Sequence, residues 1–160
     1  MSFLPHDFSV PDGAKTDRFR LRPITVHDVV KDYAAVMTNR DHLWSLFGHC
    51  WGWPPEDLTL EQDLIDLAWH QKEAQLRRAF NYAVMATDET RLLGCVYIDP
   101  PAKKGYDAEV YLWLRRDGVD AICEDSLLLV VKRWLAETWP FSKVAFPGRD
   151  IPWPEWEALP

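Results

Sequence analysis

Asp107-Ala-Glu-Val-Tyr-Leu-Trp-Leu-Arg-Arg116 is the stretch on which the fold turns. Its period of two puts Glu109, Tyr111 and Trp113 on one face and Ala108, Val110, Leu112 and Leu114 on the other, so residues 107–114 read as a strand. Upstream, 81–87 and 91–98 flank the turn Asp88-Glu-Thr90 and read as a hairpin, with 100–105 as the loop into the next strand. Downstream, an amphipathic helix is predicted over about 120–138 and a short strand over 143–146. Arg18-Phe-Arg-Leu-Arg22 alternates apolar and basic residues as a half-buried strand does, and Pro23 ends it. Thr25 caps a helix predicted over about 26–37, and the Trp-, Gly- and Pro-rich segment 39–57 reads as a loop or a broken helix. Thr59-Leu-Glu-Gln62 is a capping box opening a helix that extends to about Phe80. Leu60, Leu64, Leu67 and Ala68, joined by Ile65, Trp69 and Leu76, form its expected buried stripe, while Asp63, Asp66, His70, Glu73 and Arg77 form a polar one. The order β-α-α-β-β-β-α-β describes an α/β (α+β) fold with a mixed sheet: a meander, a crossover helix, and a strand returning beside the meander's last.

Composition narrows the function classes. The chain has 160 residues and a net charge of −7, enough length for one domain and the wrong sign for coating a nucleic acid. No apolar run approaches the ~20 residues that span a bilayer, so no membrane role is expected. Residues 1–17 lack the apolar core of a signal peptide, and Cys50, Cys95 and Cys123 are too scattered for a zinc site. Reduced thiols and a cytoplasmic location are the simplest expectation, with no metal. The organisation is an arm over 1–17, with Phe3, Leu4, Phe8 and Val10 to dock it, a domain over 18–150, and a Pro/Trp-rich tail over 151–160.

The segment order, Arg18-Phe-Arg-Leu-Arg-Pro-Ile-Thr25, Gly94-Cys-Val-Tyr-Ile98 and the Ala-Glu-Val of the 107–114 strand together resemble the GNAT superfamily of acyl-CoA N-acyltransferases. The resemblance covers about 18–150. It implies a central sheet with a V-shaped opening beside the 107–114 strand, where acetyl-CoA binds and an amine attacks its thioester. It further implies that the pyrophosphate rests on main-chain amides at the N-terminus of the following helix, an anion site made of unpaired N–H groups and a helix dipole. On that reading Leu112, Trp113, Leu114, Arg115, Arg116, Gly118, Val119, Asp120, Ala121 and Ile122 hold the cofactor. The family's Arg/Gln-x-x-Gly-x-Gly/Ala loop is degenerate here. Arg115-Arg-Asp-Gly118-Val-Asp120 keeps the Arg and the first Gly, whereas Arg116-Asp-Gly-Val119-Asp-Ala121 keeps the Arg and the Ala. Asp117, Asp120, Glu124 and Asp125 add negative charge where a pyrophosphate would arrive. The family's closing helix and two-stranded hairpin have no counterpart in 147–160, and all five tyrosines precede residue 143, so no general acid is named. The sheet edge left open is to be covered by the tail, with Trp153 and Trp156 folded back, or by a second copy of the chain in a homodimer.

Individual residues carry two readings each. Glu109 matches the family's strand carboxylate that acts as general base, and flanking aromatics would raise its pKa; the alternative is a Glu paired with an Arg on a sheet face. His70 and Glu73 lie one turn apart and would orient an amine or a water, but their stripe has the pattern of a solvated helix face. Trp44, Trp51 and Trp53, with Phe47, fall where the family walls its acceptor cleft, and with Tyr111 they suit a cationic or apolar group; packing in core and lid is the other reading. Arg149 is placed either to clamp a carboxylate or to pair locally, and Cys95 and Cys123 are expected to be buried and inert. Two functions follow: an acetyl-CoA-dependent N-acetyltransferase acting on a small-molecule amine or an exposed N-terminus, or a non-catalytic ligand-binding or dimerising module that has lost CoA binding.

Overall fold

The computed structural model describes residues 2–117 and 122–160. Gly118, Val119, Asp120 and Ala121 of the expected cofactor loop lie outside the described residues. The strands are β1 (Ala14–Lys15), β2 (Arg20–Pro23), β3 (Phe80–Met85), β4 (Leu92–Asp99), β5 (Ala108–Leu114) and β6 (Val144–Ala145). The helices are α1 (Val29–Thr38), α2 (Arg40–Trp51), α3 (Leu60–Gln75), α4 (Glu124–Thr138) and α5 (Trp153–Ala158). The six strands form one sheet in chain order, antiparallel except for β5–β6, whose parallel pairing needs a crossover and receives it from α4.

The alternation read in 107–114 sorts the core into two layers. Ala108, Val110, Leu112 and Leu114 pack with Leu127, Val131, Trp134 and Leu135 of α4, and the N-terminal arm adds Leu4, Phe3, Phe8 and Val10 to that layer. Tyr111 and Trp113 pack with α1, α2 and Leu67 of α3 on the opposite face. Trp113 is fully buried and donates its indole N–H to Tyr97 Oη at 3.0 Å. Gly94 is required beside it, because a Cβ there would stand 1.9 Å from the Trp113 carbonyl oxygen.

Several boundaries differ from the sequence reading. Segment 39–57 is largely regular helix, α2, because its helix-breaking residues gather at the end; Gly52 caps it in the left-handed conformation (φ 59°). The 26–37 helix begins as a 3-10 turn over Val26–Asp28, where Asp28 accepts from Thr25 N at 2.8 Å and from both Arg22 Nη atoms at 2.7 and 2.9 Å. Helix α3 starts at its Thr59 cap, which accepts from Gln62 N at 3.1 Å, but stops at Gln75, with Arg77 left-handed behind it.

The faces of α3 are reversed. Leu60, Leu64, Ile65, Trp69 and Leu76 of the expected buried stripe are 41–54 % exposed, Ala68 is exposed too, and only Leu67 is buried. Asp63 and Glu73, expected in solvent, are buried. Periodicity separates two stripes without saying which one turns inward, and here the polar stripe faces a cavity against the sheet.

The tail folds back as expected. Trp156 is buried against Tyr106 at 5.4 Å, and Lys103 Nζ donates to the carbonyls of Leu159 (2.6 Å) and Glu157 (3.2 Å). Trp153 stacks on Tyr111 at 6.3 Å and presses on Gly148, whose φ is 79° and whose Cβ would lie 2.6 Å from the indole nitrogen. Gly148→Ala is therefore expected to cost ~1–2 kcal/mol from the left-handed backbone alone, and to lower Tm by about 2–8 °C. An unchanged melting curve would show that this turn relaxes freely.

Candidate functional site: an opened sheet edge and an acid-lined cavity

The opening begins where β6 leaves β5. Only Ala108↔Val144 and Glu109↔Ala145 are paired; Pro147 then interrupts the strand, and residues 146–151 turn back on themselves through Gly148 N→Ile151 O and Arg149 N→Phe146 O bonds. Along β5 the direction of the main chain follows from one bond. Arg115 N donates to Leu93 O at 2.7 Å, so in the antiparallel ladder Trp113, Tyr111 and Glu109 spend their main-chain groups on β4, and Leu112 and Leu114 point theirs into the wedge. Trp113, expected among the cofactor residues, is excluded: its side chain is core and its main chain is ladder.

The wedge groups already have partners. Leu114 N donates to Glu124 Oε2 at 3.0 Å, and Leu112 O accepts from Arg149 Nη2 at 2.8 Å. Arg149 also meets Glu124 Oε1 at 3.3 Å, and His42 Nε2 sits 2.7 Å from Glu124 Oε2. Burial pushes the Glu124 pKa up, but the Leu114 amide, His42 and Arg149 together outweigh it and hold the group below the usual carboxylate range. Glu124 and Arg149 thus form a latch across the wedge. On one side of it lies a cavity of about 450 Å³ lined by Leu114, Arg115, Arg116 and 122–125. On the other lies one of about 170 Å³ lined by Phe47, Tyr111, Leu112, Arg149 and Trp153.

The expected phosphate residues fare unequally. Arg115 is engaged by Asp117, at 2.7 Å from Nε and 2.6 Å from Nη2, and by the Leu92 carbonyl. Arg116 is exposed in the larger wedge cavity, and its N–H is taken by Asn39 Oδ1 at 2.6 Å. Ile122 lines that cavity as well. Cys123, expected to be buried, is exposed at the N-cap of α4; hydrogen bonds from Ser126 lower its pKa. Arg149 pairs with Glu124, distant in sequence on α4, and Asp150 with Lys132, so Arg149 does not pair locally as one reading of the sequence expected.

Separate from the wedge is a cavity of about 550 Å³, a ligand-sized space between α3 and the sheet. Trp51, Trp53, Trp69 and Tyr97 supply its aromatic walls, and Asp32, Asp63, Asp66, Asp99 and Glu73 its charge. Trp44 does not reach it: its ring lies under Arg40 (4.7 Å) on the outside of α2. Trp51 forms the partition, edge-on to Tyr97 at 5.3 Å and to Tyr111 at 4.9 Å, so the cavity and the wedge share one wall. His70 and Glu73 line the cavity rather than a solvated face. Burial lowers the His70 pKa to about 4, which keeps the imidazole neutral near neutral pH. Glu73 is held by Arg78 at 2.7 Å and Lys72 at 2.9 Å, and its pKa is lowered, chiefly by the Arg78 hydrogen bonds.

Two carboxyl pairs went unread in the sequence. Asp99 stands directly across from Glu109 in the β4–β5 register, on the same face. Burial, and then the Glu109 charge, raise the Asp99 pKa to about 7. Glu109 accepts from Ala102 N at 3.0 Å and from Tyr111 Oη at 3.3 Å, in place of the Arg partner that the alternative reading expected. Tyr111 is held protonated, its pKa raised by burial and next by Glu109. The second pair is Asp32 of α1 and Asp63 of α3, hydrogen-bonded to each other, with Cys95 Sγ 3.8 Å from Asp32. Burial raises both, Asp63 to about 6.

A stability prediction follows from Asp63. Its carboxyl keeps a proton at pH values where the unfolded chain, near 3.8, has lost it, so its contribution falls as pH rises from about 4 to about 6. Asp63→Asn removes that loss. The variant should melt with wild type near pH 4 and above it at pH 7, as scanning calorimetry across this range would show; equal curves at pH 7 would mean the pair costs nothing.

No protein-family model matches this sequence, and no curated protein matches it. Solved structures do. The chain is similar to a ribosomal-protein-alanine acetyltransferase from Vibrio fischeri (18 % identity, TM-score 0.57, 78 % of this chain and 67 % of that one). It is also similar to the microcin self-immunity acetyltransferase MccE, solved with acetyl-CoA and AMP (17 %, 0.61, 80 % and 67 %). A third is the ribosomal α-N-protein acetyltransferase RimL in complex with coenzyme A (17 %, 0.57, 78 % and 66 %). The chain spans about two thirds of each of these proteins. At such identities the likeness fixes the architecture: this chain has the GNAT acetyltransferase fold. Among the described residues no helix is long and apolar enough to cross a membrane.

Proposed function

We propose that the chain is an N-acyltransferase that takes an amine in the acid-lined cavity and an acyl-CoA, acetyl-CoA in the first instance, in the wedge. The observation that carries this is the Asp99–Glu109 pair at an aromatic, acidic cavity whose wall, Trp51, touches Tyr111 of the wedge. An ammonium must lose a proton before it can act as a nucleophile, and a carboxylate poised near pH 7 is matched to that task. Asp99 accepts the proton, Glu109 sets the proton affinity of Asp99, and Tyr111, kept as a phenol, donates its one O–H to Glu109 and so joins the pair to the wedge wall.

The wedge fits the acyl carrier on one condition. Leu112 O and Leu114 N are an acceptor and a donor spaced as a strand partner needs, and they are held by side chains on rotatable arms rather than by another strand. When the latch opens they would hold the carrier's amide groups, with Arg116 beside them for phosphate. Bound acyl-CoA would supply an activated thioester. The same latch favours a second reading, in which the wedge is sealed and the cavity alone binds a ligand.

Titration calorimetry with acetyl-CoA separates the two, performed on wild type and on the Glu124→Ala/Arg149→Ala double variant. Heat from either protein, together with thiol release in the presence of an amine, supports the transferase. Silence from both at millimolar ligand leaves the binding module.

A further inference from the structure

We propose that the outer face of α3 is the contact between two copies of this chain, paired antiparallel about a two-fold axis that passes near Ala68. Of the nine large apolar side chains exposed among the described residues, five lie on this helix or directly behind it: Leu60, Leu64, Ile65, Trp69 and Leu76. Single apolar residues on a surface need no explanation, but a ridge of five on one helix marks an interaction site. Helical spacing orders the ridge. Glu61, Ala68, Lys72 and Gln75 follow at intervals of seven, four and three residues, and all four are exposed along one line of the helix. Leu60 and Leu64 flank that line on one side, and Ile65, Trp69 and Leu76 on the other. Ala68, small and exposed, stands midway between Leu60 and Leu76, where a second helix can approach closely.

Charge selects the occupant. At the start of the face Asp57 and Glu61 are exposed, and neither is ion-paired among the described residues; Glu56 beside them is met by Arg40 at 3.4 Å. At its end Lys72 and Arg78 share the one carboxylate of Glu73, and Arg77 donates to a neutral carbonyl, that of Pro5, at 2.8 Å. Each copy thus presents an anionic end and a cationic end with the apolar ridge between them. Such a face is complementary to itself when reversed, and a two-fold axis across the helix makes that reversal. With the axis near Ala68, Glu61 of each copy comes beside Lys72 of the other, and the Ile65 and Trp69 side chains of the two copies meet. A parallel arrangement would set like charges together. An apolar segment of an unrelated protein would be served by the ridge, but it has no use for the two charged ends. Because Trp69 also lines the 550 Å³ cavity, the contact buries the outer side of that wall.

The pairing does not rest on the transferase reading. The test is sedimentation equilibrium of the full chain, which at about 100 μM should give twice the monomer mass of 18.7 kDa. Ala68→Arg, a change at an exposed position, should keep the melting curve and weaken dimerisation about tenfold or more, since it sets two like charges at the axis. Glu61→Lys and Lys72→Glu should each weaken it by a similar factor, because each brings like charges together twice. Mixed in equal amounts, these two variants should recover the dimer mass, since every contact between positions 61 and 72 then joins opposite charges again. Wild type that stays monomeric at that concentration overturns the proposal, whether or not the face takes up an apolar peptide. A dimer that tolerates Ala68→Arg overturns it by placing the interface elsewhere. A mixture that remains monomeric overturns it by excluding the antiparallel arrangement.

Discussion

Asp99→Asn is expected to lower kcat/KM for the accepted amine by ~10²–10⁴, the range of a positioned general base, while acetyl-CoA affinity stays within twofold. The expectation rests on the register that sets Asp99 opposite Glu109. Like charges facing each other across a ladder repel, and burial adds to the cost of the second charge. The result is one carboxyl with a pKa of about 7. Below that pH Asp99 carries a proton and cannot take another, so the wild-type rate should rise through pH 7 and level off above it. Asp99→Asn should abolish that limb. Glu109→Gln should instead shift it to lower pH, because the charge that raises the Asp99 pKa is gone, and should keep a substantial part of the turnover. The pH–rate profile of both variants, read by thiol release, checks this. If Glu109→Gln erased the rate and Asp99→Asn left the limb in place, the roles would be exchanged and Glu109 would be the base, as its strand position alone suggests.

The strand order was legible because alternation in 107–114, the hairpin before it and the Thr59 capping box are local signals, each fixed by a few adjacent residues. Helix α2 was obscured by counting Trp, Gly and Pro over a window, although the breakers Gly52, Pro54 and Pro55 all lie beyond its last turn. The candidate site was half legible. Trp51, Trp53, His70, Glu73, Glu109 and Tyr111 were identified and lie on the cavity, the wedge or the carboxyl pair. Asp32, Asp63 and Asp99 were missed because their character comes from partners distant in sequence: Asp32 and Asp63 are 31 positions apart, on α1 and α3. Asp99 had a signal, since pairing the meander's second and third strands places it opposite Glu109. The inversion of α3 had none. Its exposed Leu60, Leu64, Ile65 and Trp69 form a better hydrophobic stripe than its buried face does, and only the cavity explains why Asp63 and Glu73 turn inward.

The latch yields the second large effect, and its logic is that of a double-mutant cycle. Glu124→Ala removes the partner of Leu114 N, His42 and Arg149 at once, leaving a half-buried guanidinium and an amide unserved. Breaking a buried pair from one side costs ~3–5 kcal/mol. Arg149→Ala should cost less, because Glu124 keeps His42 and the Leu114 amide. The double variant should therefore be more stable than the sum of the singles implies, by ~1–3 kcal/mol, as is usual for partners in contact. Affinity should move the opposite way. With neither side chain across the wedge, Leu112 O and Leu114 N no longer exchange a charge-assisted bond for a ligand's neutral one, and acetyl-CoA should bind ~10–100-fold more tightly than to wild type, equivalent to ~1.5–3 kcal/mol. Urea unfolding of the four proteins measures the first quantity and calorimetry the second. Additive stabilities would mean that Glu124 and Arg149 merely share a neighbourhood. Unchanged affinity in the double variant, with coupling intact, would mean that the pair braces β5 against α4 without gating the wedge. Closure by this pair leaves the donor and acceptor pattern of the opened strand edge unaltered beneath it, and a strand edge in that state can be used as soon as the two side chains rotate away.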